Sequence, residues 1–180
     1  MSNVSKKTKD VAKLGVLAAI SVLLVLVHFS PIPSVAFLEY DPADVPILLA
    51  TFAMGPAAGL LLTVVTALIQ GVTVSAASGL YGIIMHIIAT GTYVAVAGSI
   101  YKHHKTKKMA VLSLICGVIA WVLVMIPANL FITPVYMGVP REAVSAMLWT
   151  GIVPFSLFKS GLNSVITFVL YKRVSGILHK

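Results

Sequence analysis

Lys159 is the residue of this sequence best placed to do chemistry. It stands between Phe158 and Ser160 well inside an apolar segment, more than ten residues from the next cation, Lys172. A lysine near mid-bilayer costs about 2.5–3.5 kcal/mol on insertion scales, so by default it marks a functional site. The competing readings are snorkelling toward the outer interface and pairing with an acid such as Asp44. Asn129, beside Pro127, carries two donors and two acceptors that need partners. It either reads a ligand or stitches helices together, a contact worth roughly 1 kcal/mol in membranes. Gln70 and His86 fall near the outer ends of apolar segments, where hydrogen bonding or cavity lining is expected. His86 has no second histidine at metal-ligand spacing, and His103 and His104 sit in a basic stretch, so no metal site is expected.

The elements that must position these groups belong to a membrane protein. Of 180 residues, 59% are hydrophobic and 10% charged, against about 25% charged in soluble domains. The net charge of +8 is not spread as on a nucleic-acid binder, because eleven of thirteen basic residues form three clusters. These are Lys6, Lys7, Lys9 and Lys13; Lys102, Lys105, Lys107 and Lys108; and Lys172, Arg173 and Lys180. Each abuts a long apolar run, as cytoplasmic flanks do under the positive-inside rule. Cys116 is alone, which excludes a disulfide framework and leaves a packing role.

Six apolar segments are predicted: about 11–29, 45–54, 57–74, 80–101, 109–132 and 146–174. Pro31 and Pro33 end the first, which reads as a retained span and not a cleaved signal. Asp44 is a predicted N-cap for the second, with Pro46 in its first turn. That second helix is too short to cross a bilayer alone, which hints at a cavity where loop reaches membrane depth. Gly55-Pro56 breaks the chain before the third, and 75–79 is a small-residue turn. Pro127 lies inside the fifth segment, 133–145 is a connector holding Pro134, Gly138 and Pro140, and Pro154 is a kink site in the sixth. Six crossings put all three basic clusters and both termini inside, and leave Glu39, Asp41, Asp44 and Glu142 on outer connectors. The expected architecture is one all-α, six-helix transmembrane domain over residues 1–180, with an outward-facing cavity. Gly15 and Ala19, with Ala18 beside them, put small residues on one face of the first helix and permit close helix approach. Gly91, Gly98 and Gly117 suit the same purpose.

No G-x-x-x-x-G-K-[ST], H-E-x-x-H or G-x-S-x-G motif occurs, and no carboxylate pair lies within the membrane segments. An enzyme using Lys159 or His86 as acid or base is therefore the weaker reading, and an inert structural subunit leaves Lys159 unexplained.

Three stretches together resemble the substrate-binding S components of energy-coupling factor (ECF) vitamin transporters, especially the riboflavin-specific ones. Asp44-Val-Pro-Ile-Leu-Leu-Ala-Thr-Phe-Ala-Met-Gly-Pro-Ala-Ala-Gly59 looks like that group's D-V-P-x-L-x-A-T-F-x-x-G-P-x-A-G signature. Asn129-Leu-Phe-Ile-Thr-Pro-Val-Tyr-Met-Gly138 is similar to its N-x-x-x-x-P-x-Y-G segment, with one extra residue. Ile152-Val-Pro-Phe-Ser-Leu-Phe-Lys159-Ser-Gly161 is similar to I-P-F-N-x-x-K-G, with Val153 and Ser160 extra and Ser156 in place of asparagine. The resemblance implies a non-enzymatic subunit of the prokaryotic plasma membrane that captures a vitamin in an outward cavity closed by the first loop. It implies docking on a transmembrane T component driven by two cytoplasmic ATPases, with Gly15, Ala18 and Ala19 facing the T component. Asn129 and Lys159 match the residues that contact the flavin ring in riboflavin binders. His86 falls where an asparagine is expected, and Thr66 where the group often has lysine. Riboflavin is the leading cargo, with flavin mononucleotide or pantothenate as alternatives; no cofactor is implied.

Overall fold

A computed structural model describes residues 3–178, with side chains over 7–173. The side chain of Lys6, and Lys180 altogether, lie outside the described residues. Helices account for nearly all of the chain: α1 (Asn3–Val25), α2 (Asp44–Met54), α3 (Pro56–Val72), α4 (Gly79–His103), α5 (Lys107–Met137), α6 (Arg141–Met147) and α7 (Val153–Leu178). Among the described residues the sole extended pairing is one antiparallel bridge between Phe29 and Tyr40. Among the described residues three stretches are long and apolar enough to cross a membrane: Gly79–His103, Lys107–Met137 and Arg141–Arg173.

The molecule exposes many large apolar side chains and buries a set of polar and charged ones within its apolar core. Val16, Leu61, Leu68, Ile115, Leu123, Val135 and Val165 are exposed, while Asp41, Asp44, Asn129, Lys159 and Asn163 are buried. An apolar exterior on this scale suits a lipid solvent and would drive association in water.

At the centre stands α2. Its eleven residues rise about 16 Å, roughly half of a hydrocarbon core. Every residue from Asp44 to Phe52 is buried, and α2 packs against α1, α3, α4 and α7. The 26–43 loop leads into α2 from α1. The loop is strapped down by the Phe29–Tyr40 bridge, by a 3-10 turn at Pro33–Val35 and by Ser30 Oγ donating to Ala36 O (2.8 Å). Tight helix approach relies on several glycines, Gly59, Gly98 and Gly117 among them. A Cβ at Gly98 would meet Thr51 and Pro56, and one at Gly117 would run into the Tyr93 ring, whereas Gly91 has ordinary clearance.

Several predicted boundaries move. α1 begins at Asn3, ahead of the first basic cluster, and ends at Val25, before Pro31 is reached, where His28 Nδ1 lies 3.0 Å from Val25 O. α5 runs through both Pro127 and Pro134 and stops at Gly138, whose φ of 65° closes the helix in the left-handed region. The connector shrinks accordingly, and its second half is the short helix α6. Prolines are tolerated in such helices when neighbouring groups re-satisfy the freed carbonyls. Pro154 does not produce a simple kink; a π turn at Leu148–Ile152 precedes it, with Val153 N–H donating to Leu148 O. Asp44 is not the N-cap of α2. Ala43 occupies that position, and Asp44 is the first helical residue with its side chain turned inward.

Candidate functional site

The inward face of α7 is a polar stripe. Ser156, Lys159, Ser160, Asn163, Ser164 and Thr167 recur at helical spacing and all are buried. The serines settle their hydroxyls within the helix: Ser160 Oγ donates to Ser156 O and Ser164 Oγ to Ser160 O, both at 2.6 Å. Lys159 and Asn163, one turn apart, are left to reach across to the loop and to α2.

Lys159 is 8% exposed and its Nζ donates to Asp41 Oδ2 at 2.8 Å and to Glu39 O at 3.3 Å. Its acid partner is thus Asp41, not Asp44. The other Asp41 oxygen accepts from Ala43 N–H (3.1 Å), which holds the entry to α2. The Lys159 ammonium beside it supplies the counter-charge that lets the Asp41 carboxylate be buried. Asp44 is the second buried carboxylate. It accepts from Thr90 Oγ1 (2.8 Å) and Asn163 Nδ2 (3.1 Å), and His86 Nε2 lies 3.7 Å away. Asn163 Oδ1 in turn accepts from Tyr40 Oη (3.0 Å), joining the loop to α7. Asp41 lies on the α1–α2 connector and Asp44 at the first residue of α2, and neither side chain is at the surface. Both are drawn inward because an ammonium among apolar helices needs counter-charge.

Beside this network lies a hollow of about 150 Å3 between the loop, α3, α4, α5 and α7, into which Lys159, Asp41, His86 and Gln70 all face. Val25, Trp121, Met125 and Phe155 supply apolar walls. A second hollow of about 100 Å3 shares Phe37, Leu38, Met85 and Met125 with the first, and contains Asn129, Thr133, Tyr81 and Tyr136. The two compartments are therefore neighbours, with loop residues Phe37 and Leu38 among the side chains lining both.

The site residues anticipated from sequence divide. Gln70, His86 and Lys159 share the first compartment, Asn129 lines the second, and Asp44 lies behind His86 without lining either. Asn129 is internally satisfied, its Nδ2 donating to Met125 O and its Oδ1 accepting from Thr133 Oγ1, both at 2.9 Å. Gln70 Oε1 and His86 Nε2 are buried without a hydrogen-bond partner, as is Thr66 Oγ1. A buried polar atom left unpaired costs about 1–3 kcal/mol; of these three residues Gln70 and His86 line the first compartment, and Thr66 lines neither. Arg141, the other candidate cation, lies 4.4 Å over the Phe131 ring and lines neither compartment. Gly15 and Ala19 are exposed on α1, and Gly15 has open space where a Cβ would be, whereas Ala18 turns toward the core. Asp41, Thr90 and Asn163 belong to the network but were not singled out from sequence; the periodic polar face of α7 is the signal that could have revealed Asn163.

The family described as ECF transporter, substrate-specific component, matches residues 9–171. The riboflavin transporter RibU of Staphylococcus aureus (strain TCH60) is 28% identical over 182 residues, covering 97% of this chain and 95% of its own length. RibU of Streptococcus thermophilus is 27% identical, over 96% of this chain and 86% of its own length. The riboflavin transporter FmnP of Bacillus subtilis is 24% identical over 92% and 91%. A solved structure of the S component of a bacterial ECF transporter superposes with a TM-score of 0.83 at 29% identity, covering 97% of this chain and 99% of that one.

Proposed function

This chain belongs to the substrate-specific components of ECF transporters, and from that premise we propose that it captures riboflavin in the cleft beside Lys159. Similarity to three riboflavin transporters over more than nine-tenths of the chain supports the cargo. The observation that carries the site is the juxtaposition of Lys159 Nζ, the unpaired Gln70 Oε1 and His86 Nε2, and the walls Trp121 and Phe155 in one hollow. A flavin offers a large apolar plane and a polar, uracil-like edge. Aromatic and aliphatic walls with a few placed polar groups suit that shape. Lys159 donates to a ring carbonyl, and Asn129 meets the same edge once its own contacts with Met125 and Thr133 are exchanged for the ligand's.

Both compartments are smaller than the roughly 300–1,000 Å3 of ordinary ligand pockets. Capture therefore requires Phe37 and Leu38 to swing aside, which makes the 26–43 loop the door of the site. The bilayer arrangement we propose has six crossings in one domain: α1, α2 with its loop, α3, α4, α5, and α6 continuing into α7. Both termini and the 104–106 turn are cytoplasmic, because the basic clusters gather at that end. Gly15 and Ala19 present a close-approach face to a T component in the plasma membrane, and two ATPases supply the energy.

Titrating the purified chain with riboflavin and following loss of vitamin fluorescence tests the reading. Binding in the nanomolar range, roughly −12 kcal/mol, is the expected result, with flavin mononucleotide and pantothenate much weaker. Saturable binding of either alternative without riboflavin binding would overturn the cargo.

A further inference from the structure

A third hollow, of about 290 Å3, opens at the opposite end of the bundle and shares no lining residue with the other two. It lies where α4 ends, α5 begins and α7 passes Tyr171. Its rim carries the exposed lysines Lys105, Lys107 and Lys172. Among the described residues no carboxylate is in ion-pair range of any of the three. Its floor is built from the buried tyrosines Tyr101 and Tyr171, with Tyr101 Oη donating to Tyr171 Oη at 3.4 Å and Tyr171 Oη to Phe52 O at 3.5 Å. Phe168 and Ala110 form an apolar wall. Thr106 caps α5, so the positive end of that helix begins at Lys107 on the same rim.

Three ammonium groups with no carboxylate partner among the described residues line one cavity and concentrate positive potential there. A phosphate has the charge and the several oxygens such a rim requires. The wall beyond the rim is apolar, and the exposed Val111, Leu112, Val169 and Leu170 continue it along α5 and α7. A phosphate joined to hydrocarbon matches both halves. We infer that this pocket binds a phosphate group, supplied by an acidic phospholipid whose chains lie along α5 and α7, and so tethers this end of the bundle to its headgroup layer. Basic pockets between membrane helices commonly take such headgroups. A soluble phosphate is the other possible source of the same chemistry.

Native mass spectrometry of the full chain, titrated with phosphatidylglycerol, phosphatidylcholine or inorganic phosphate, tests the inference. Phosphatidylglycerol is expected to be retained in preference to phosphatidylcholine, with affinity falling about fivefold for each of Lys105→Gln, Lys107→Gln and Lys172→Gln. A Lys102→Gln/Lys108→Gln variant removes as much charge per lysine from the same stretch outside the pocket and should change retention far less. Riboflavin binding by the triple variant reports that it is folded. Inorganic phosphate binding with the same lysine dependence would keep the phosphate assignment and replace the lipid as its source. Equal retention of the two lipids with no phosphate binding, or equal losses in the pocket and control variants, would overturn it.

Discussion

Lys159→Met is expected to weaken riboflavin binding by about a hundredfold, the scale of one hydrogen bond to a charged group. The same change leaves Asp41, 3% exposed, without its cation. Removing one partner of a buried ion pair typically destabilises by about 3–5 kcal/mol, so thermal unfolding in detergent should begin well below the wild-type temperature. The two effects come apart in Lys159→Met/Asp41→Asn, where the directly paired carboxylate is neutralised together with its cation and Asp44 keeps its Thr90 and Asn163 donors. That double variant should regain much of the lost stability and none of the lost affinity. If affinity returned along with stability, Lys159 would be a structural cation and the ligand role assigned to it would be wrong.

Asp44→Leu should produce the largest loss of stability of any single change in the network. Asp44 is fully buried and accepts from both Thr90 and Asn163, with His86 close behind. Leucine leaves two donors stranded at about 1–3 kcal/mol each and removes a negative charge that helps to balance Lys159. Asp44→Asn keeps an acceptor oxygen and should fall between the two. Thermal unfolding of the three proteins in one detergent checks the order, and wild-type stability for Asp44→Leu would contradict the network as described. Because α2 is enclosed by α1, α3, α4 and α7, its failure should lower the stability of the whole bundle cooperatively.

Much of this was legible in the amino-acid sequence, unevenly and for physical reasons. Lys159 stood out because a cation in an apolar run has few explanations. The short α2 was readable from Gly55-Pro56 on one side and the polar 39–44 stretch on the other, and its bounds agree within a residue. Asp41 was misread because a carboxylate next to a proline, in a stretch between two helices, has the local pattern of a surface turn. Only the loop's path back into the bundle brings it 2.8 Å from a residue 118 positions away. Asn163 and Thr90 were overlooked because single polar residues within apolar helices are common and gain meaning from their partners. The extension of α5 through Pro134 was hidden by a rule calibrated on water-exposed helices, where a freed carbonyl has solvent as a competitor. The π turn before Pro154 has no residue signature at all; it follows from how α6 and α7 must join. Ala18 differs from Gly15 and Ala19 because helical rotation turns it toward the core, so a stripe read as three small residues exposes two.

Trp121 lines the hollow that holds Lys159, whereas Trp149, within the π turn, is 70% exposed and lines neither compartment. In a Trp149→Phe protein, the remaining indole emission reports on that hollow alone. Adding riboflavin should quench Trp121 with the same titration curve that describes vitamin binding, and saturate at one vitamin per chain. Riboflavin bound tightly with Trp121 emission unchanged would place the vitamin elsewhere in the molecule and contradict the site.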